Sequence, residues 1–258
     1  MANRLHNKVC IVTGAGHGIG AAVAECFGDE GASVVLAELD ETAGAAQALA
    51  LQQSGVDALF IPTDITQVKS VRDMVAQVTE RFGRLDVLVN NAGINVFRDP
   101  LEMTADDWKQ CLSVDLEGAW NCCQAVLPTM VAAGAGSVIN MASTHSFSII
   151  KGCFPYPVAK HGLIGLTRAL AIEYAAHGIR FNAIAPGYIE TRLCVDYWNS
   201  FADPAAARQA TCDLLPPKRV GRPKEVGMTA VFLASDEAPF INASTIVIDG
   251  GRSVVYHD

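Results

Sequence analysis

Short runs of β-branched and aliphatic residues recur along the chain, separated by longer stretches in which apolar positions return every three or four residues. The runs are Val9 to Val12, Val34 to Leu36, Leu59 to Ile61, Val87 to Val89, Val138 to Met141, Arg180 to Ile184 and Thr245 to Ile248. They are nearly continuous rather than alternating, the pattern of strands covered by helices on both faces. Seven strands alternating with helices predict βαβ units, and therefore an α/β fold with a doubly wound, seven-stranded parallel sheet in one domain spanning residues 1–258. Two stripes at helical spacing, Trp108, Leu112, Leu116, Trp120, Cys123 and Ala159, Leu163, Leu166, Leu170, read as core or subunit contact. Only residues 188–222 break the rhythm, with polar residues, prolines and Trp198, and an irregular insertion of that length reads as a substrate lid.

Composition narrows the class. Charged residues make up 18% of the chain, below the roughly 25% of an average soluble domain, so surface is expected to be hidden between copies in an oligomer. The net charge of -8 and the scattered Lys and Arg argue against nucleic-acid binding. No apolar run approaches the ~20 residues that cross a bilayer, and MANRLHNKVC has no apolar signal-peptide core, so a cytoplasmic protein is expected. The eight cysteines show no C-x-x-C or Cys/His ligand spacing and read as buried thiols, with no metal site.

After the first strand comes Thr13-Gly14-Ala15-Gly16-His17-Gly18-Ile19-Gly20 and then a helical stretch. Strand, glycine turn and helix form the arrangement in which backbone approaches a pyrophosphate and the helix N-terminus supplies free N–H groups. Glu38, about 20 residues further on at the end of the second strand, suits the two hydroxyls of an adenosine ribose, with Asp40 as a substitute. A carboxylate there repels a 2′-phosphate, and His17 is the one weakly basic side chain in the turn, so NAD is expected over NADP. The third strand is expected to end in Asp64-Ile65 and the fourth in Asn90-Asn91-Ala92-Gly93, at the carboxyl edge where such sheets bind ligands. The candidate cofactor contacts here are Gly14, His17, Gly18, Ile19, Glu38, Asp64, Ile65, Asn91, Ala92 and Gly93.

Ser143 follows the fifth strand, and Tyr156 and Lys160 lie four residues apart on one helix face. A phenol with ordinary pKa near 10 is a poor base, but a neighbouring ammonium favours its phenolate. A serine hydroxyl on the same substrate oxygen completes the parts for removing a proton from an alcohol while hydride leaves its carbon.

With Thr13-Gly14-x-x-x-Gly18-x-Gly20, Asp64, Asn90-Asn91-Ala92-Gly93, Ser143, Tyr156-x-x-x-Lys160, Pro186-Gly187 with Thr191, and Asp249-Gly250-Gly251, the sequence resembles the short-chain dehydrogenase/reductase family over essentially its whole length. The resemblance implies a Rossmann-like fold, Tyr156 as general acid or base, Lys160 lowering its pKa and holding the nicotinamide ribose, and Ser143 polarising the substrate oxygen. It also implies that Pro186, Gly187, Ile189 and Thr191 bracket the nicotinamide, and that a homotetramer forms through the helices of the two apolar stripes.

Asp115 departs from that family, which normally has Asn as its fourth catalytic member, acting through a main-chain carbonyl; Ala243 stands where Gly is frequent. Two resolutions are open for Asp115: a protonated carboxyl or main-chain-only role, which is the expectation, or an ionised carboxylate paired with a cation such as Lys160 through water. Asn95, His145, Phe147, Lys151, Tyr188, Glu190 and the segment near Trp198 are expected to line a pocket for a small-molecule substrate, and Asn95, His145, Tyr188 and Trp198 are its candidate contacts. His161, Arg168 and Glu173 read as structural or solvated. The expected activity is oxidation of a secondary alcohol or lactol on a sugar or sugar acid; a 3-oxoacyl thioester reductase and a non-catalytic NAD-binding regulatory subunit are the alternatives.

Overall fold

A computed structural model describes residues 3–256. Seven parallel strands lie in the order β3-β2-β1-β4-β5-β6-β7: β1 Val9–Thr13, β2 Ser33–Glu38, β3 Ala58–Pro62, β4 Val87–Asn90, β5 Gly136–Met141, β6 Ile179–Pro186 and β7 Thr245–Ile248. The helices are α1 Gly18–Asp29, α2 Glu41–Gln53, α3 Val68–Phe82, α4 Ala105–Leu112, α5 Gly118–Ala133, α6 Tyr156–Tyr174, α7 Arg192–Asn199, α8 Pro204–Asp213 and α9 Pro223–Ala234.

Successive strand side chains point to opposite faces, so one continuous apolar run feeds two cores. Cys10, Val12, Val34, Leu36, Val87 and Val89 pack beneath α1, α2 and α9, around Phe27 and Val231. Val9, Ile11, Val35, Ala37, Leu88 and Val138 face α3, α5 and α6, around Met74, Val126 and Phe181. Strand order reverses between β1 and β4, and the carboxyl ends of these strands open the crevice in which doubly wound sheets bind ligands. The third strand stops at Pro62 and the fourth at Asn90, so Asp64-Ile65 and Asn91 to Gly93 lie in the turns just beyond the strands in which they were expected.

The segment 188–222 is also more regular than its composition suggests. It holds α7 and α8, and α8 starts where Asp203 accepts from the Ala206 N–H (3.0 Å) ahead of Pro204, a cap and a first-turn proline in series. Trp198 is 3% exposed and packs with Cys212, Leu215 and Val220, while its indole N–H donates to Thr211 Oγ1 at 3.0 Å. The indole therefore forms the nucleus of the cap and is not a wall of the cleft, because burying its ring yields more than leaving it at a wet surface once Thr211 satisfies the polar end. The stripe from Trp108 to Cys123 is not one helix either, since a π turn at Ser113–Glu117 separates α4 from α5 and leaves Trp108 and Trp120 exposed.

Ala243 adopts φ +59°, a left-handed conformation that an L side chain resists and glycine does not. Ala243→Gly should therefore stabilise the fold by up to about 1 kcal/mol, the strain removed less the added freedom of the unfolded chain. A rise in the urea midpoint at constant slope checks this, and an unchanged or lower midpoint would contradict it.

Candidate active site

The first half of the site is laced by backbone. Thr13 Oγ1 accepts from the N–H groups of Asn91 and Ala92 (3.0 Å each), and the Asn91 amide donates to the carbonyls of Thr13 and Gly14 (3.0 Å each). These four bonds fix the turn after β1 against the turn after β4. Gly14 has φ +62°, and a Cβ there would lie 2.8 Å from Ala92 Cα, so only glycine lets the two turns close. α1 then begins at Gly18, with exposed His17 before it. At the end of β2, Glu38 Oε2 accepts from Gly16 N at 2.9 Å, and Oε1 accepts from Leu39 N (2.8 Å) and Asp40 N (3.1 Å). The carboxylate is thus held against the glycine turn. Asp40, the possible substitute, instead caps α2 by accepting from Ala43 N (3.0 Å).

Asp64 closes its own turn by accepting from the backbone N–H and the hydroxyl of Thr66 (2.9 and 2.7 Å), and Ile65 is buried against Gly118. From the other side of the crevice, Thr191 stands just before α7 and reaches the glycine turn: a Cβ on Gly18 would lie 3.4 Å from its methyl carbon. Pro186 ends β6, and Gly187 N donates to Ile248 O at 2.9 Å. Ile189 is turned into the core beside α1 and lies against Gly221.

The second half stands on β5 and α6. Ser143, buried and extended, follows β5 and starts a 3-10 turn at Thr144–Ser146, its Oγ accepting from His145 N (3.2 Å). Ser146 Oγ donates to the Lys160 carbonyl (2.8 Å), tying this turn to α6. Tyr156 and Lys160 share one face of the first turns of α6. The Lys160 ammonium is 5.3 Å from the centre of the Tyr156 ring, donates to Met141 O (3.2 Å), and lies 3.1 Å from Asp115 Oδ1.

Burial works against the Lys160 charge, but the Tyr156 oxygen and the Asp115 carboxylate outweigh it, so its pKa is raised. Burial likewise pushes the Asp115 carboxyl upward, against the pull of Lys160 and the Ile94 N–H. The Asp115 side chain is thus directly engaged, and the main-chain-only role is replaced by a direct side-chain contact at 3.1 Å.

The Tyr156 ring is bracketed edge-on by Phe97 (5.9 Å) and His145 (5.8 Å). Among the described residues, none hydrogen-bonds to the buried Nδ1 of His145, and burial lowers the pKa of the ring. Phe97 reaches Tyr156 because its strand-like segment bridges to Pro155, a non-local contact with no sign in the sequence. Thr13 and Ser146 were also unassigned; their hydroxyls were visible, but their partners are far away in sequence. Tyr188 is half-buried on the cap nucleus, where burial raises its hydroxyl pKa, and Glu190 pairs with Arg208 at 3.3 Å. Asn95 is exposed on the loop before Phe97. His161 donates from Nδ1 to Pro157 O (2.8 Å), as its structural reading expected.

A family model described as enoyl-(acyl carrier protein) reductase matches residues 14–253. The D-threitol dehydrogenase of Mycolicibacterium smegmatis is 36% identical over 97% of this chain and 95% of its own length. The 3-oxoacyl-[acyl-carrier-protein] reductase of Thermotoga maritima is 36% identical over 96% and 98%. A gluconate 5-dehydrogenase from Burkholderia cenocepacia, solved in complex with NADP and tartrate, superposes with a TM-score of 0.91 at 31% identity over 99% and 98% of the two chains. The chain is a short-chain dehydrogenase/reductase.

It is thus an oxidoreductase of the class that acts on alcohols with a nicotinamide cofactor. The glycine turn of this dehydrogenase/reductase fits such a cofactor, because a side chain at Gly14 would fill the space between the two laced turns and one at Gly16 would approach Glu38 Oε2 to 3.1 Å. When bound, the nicotinamide supplies the hydride acceptor or donor.

The lacing gives a direct test. Thr13→Val removes the acceptor for two backbone N–H groups, which should lower stability by about 1–3 kcal/mol and weaken NADH binding several-fold. Unfolding titrations and NADH fluorescence check this; an unchanged affinity would show that the Thr13 bonds do not hold the turn.

Proposed function

We propose that this dehydrogenase/reductase uses NAD to exchange hydride with a secondary alcohol or lactol, or the matching ketone, of a small polar molecule of the sugar, sugar-acid or polyol type. The observation that carries the reaction class is the Lys160 ammonium, which lies 5.3 Å from the centre of the Tyr156 ring and donates to the Met141 carbonyl at the end of β5, two residues before Ser143. Tyr156 exchanges the proton of the reacting hydroxyl, Ser143 donates a hydrogen bond to the same oxygen, and Lys160 supplies the positive charge that favours the phenolate. Preference for NAD is supported by Glu38, whose carboxylate is locked against Gly16 where a 2′-phosphate would meet like charge. Some similar structures carry NADP, so the preference rests on Glu38 in this chain.

A polyhydroxylated substrate is supported by the unpartnered Nδ1 of His145 beside Tyr156, by exposed Asn95, and by likeness to the threitol and gluconate enzymes. Phe97 adds an apolar wall against which the C–H face of a ring can lie. Exposed Trp120 and Ile172, on α5 and α6, support a homotetramer built on these helices. The eight free cysteines support a reducing, cytoplasmic setting. No helix among the described residues is long and apolar enough to cross a membrane.

Initial rates of NADH formation over a panel of polyols, sugars, sugar acids and 3-hydroxyacyl thioesters test the reading. Turnover on a polyhydroxylated compound supports it, turnover on thioesters alone replaces it with the thioester reductase, and tight NADH binding without turnover replaces it with a regulatory subunit. Tyr156→Phe should lower kcat by at least about 10² while NADH affinity changes little, and retention of most activity would remove Tyr156 from the proton transfer. Glu38→Ala should raise kcat/KM for NADP relative to NAD, and equal use of the two by the unmodified enzyme would contradict the role given to Glu38.

A further inference from the structure

Asp115 stands at a backbone irregularity. The chain winds one π turn over Ser113–Glu117, with Gly118 N donating to Ser113 O, between two regular helices. Such single π turns concentrate at functional positions, because the wider turn re-aims a side chain. Here Asp115 is buried to 1% exposure, whereas Leu112, Ser113, Val114 and Leu116 around it remain half-exposed.

Among the described residues, each hydrogen-bond and ion-pair partner of the Asp115 side chain is a donor. Ile94 N–H reaches both oxygens (3.3 and 3.4 Å), Lys160 Nζ lies 3.1 Å from Oδ1, and the Cys111 thiol is 4.0 Å from Oδ2. A carboxylate is satisfied by such surroundings, and a protonated acid, which must itself donate, is not. Room for the pair comes from Gly93, where a Cβ would lie 2.7 Å from Oδ1 and 3.4 Å from Nζ. Lys160 is held from a second side by the Met141 carbonyl. Its ammonium has three hydrogens, so two fixed acceptors leave one for the cleft.

We propose that Asp115 is a positioning residue that holds Lys160 by a direct, buried carboxylate–ammonium pair, and that its negative charge sets the pH at which the proton acceptor of the reaction becomes available. The inference rests on the reading of Tyr156 as that acceptor. In alcohol oxidation a phenolate must form beside Lys160. A carboxylate on the same ammonium offsets part of the positive charge that favours this, so the rising limb of the rate profile lies at higher pH than a neutral amide at position 115 would give.

Other titratable groups packed around the pair do not supply that charge. The Cys111 thiol, on α4, is pushed up to about 11 by burial and by Asp115, and the pKa of His145, on the turn after β5, is lowered by burial. Tyr156, on α6 with Lys160, is the group acted upon.

Asp115→Asn keeps the shape and an oxygen acceptor but removes the charge, which separates electrostatics from packing. With NAD and a turned-over alcohol, the rising limb of kcat/KM should move down by about one pH unit. Asp115→Ala, which also removes the acceptor, should in addition raise the KM for NAD. The thermal midpoint of Asp115→Asn should fall by about 4 °C or more, because a buried ammonium loses its counter-charge. This last readout needs no substrate. If the unmodified enzyme turned over no alcohol yet the midpoint fell, the pair would stand and the functional reading would fail. A limb that stays in place or moves upward in Asp115→Asn, or a midpoint that does not fall, would overturn the proposal.

Discussion

A buried ammonium is the constraint from which most of the catalytic half of this molecule follows. Lys160 is 4% exposed, and a lone charge at that depth would cost several kcal/mol. Two acceptors on different elements meet it: the Met141 carbonyl at the end of β5 and the Asp115 carboxylate in the π turn. Satisfying both at once fixes α6 against the sheet edge, and with it the position of Tyr156 one turn earlier. Gly93 without a side chain, Ser146 bonded to the Lys160 carbonyl, and the widened turn at Ser113–Glu117 all serve the same pair. Removing one partner of such a pair costs roughly 3–5 kcal/mol, which is why these features belong together.

The cofactor half obeys a different rule, in which backbone does the holding. Strand order reverses between β1 and β4, so the two turns beyond them would diverge without the Thr13 and Asn91 bonds that close them. Glu38 joins that framework through Gly16, and Thr191 approaches Gly18 from the cap. The two halves meet where Ala92 and Gly93 lead from the laced turn to the Asp115–Lys160 pair. The cap adds its own small core around Trp198, and Arg208 links it to the cleft edge by pairing with Glu190 while its guanidinium lies 5.5 Å from the Trp198 ring.

The strands, the glycine turn and the Ser143, Tyr156 and Lys160 set were legible in the sequence because each is written in local spacing. Continuous apolar runs give buried parallel strands, and a four-residue separation gives one helix face. What remained hidden depends on distant partners. A π turn inserts one residue into a helical stripe that still reads as helical, so neither the break nor the inward turn of Asp115 left a mark. Trp198 looked like a pocket wall because aromatic character alone does not say which way a ring faces, and the helix at Pro204 that helps bury it was hidden among prolines read as an irregular insertion. Phe97 reaches Tyr156 only through the bridge to Pro155, far along the chain. Asp115 was visible as a departure from the family, but its direct contact with Lys160 required the fold.

The dependence of the site on this one ion pair is tested most directly by a double-mutant cycle. Unfolding free energies of the unmodified chain, Asp115→Asn, Lys160→Met and the double variant, measured by urea titration at one pH, isolate the coupling between the two side chains. The account predicts a coupling of at least about 1 kcal/mol, with the double variant less destabilised than the sum of the singles. Additivity within about 0.5 kcal/mol would show that the two groups do not sense one another, and would contradict the claim that the Asp115–Lys160 pair holds the catalytic half together.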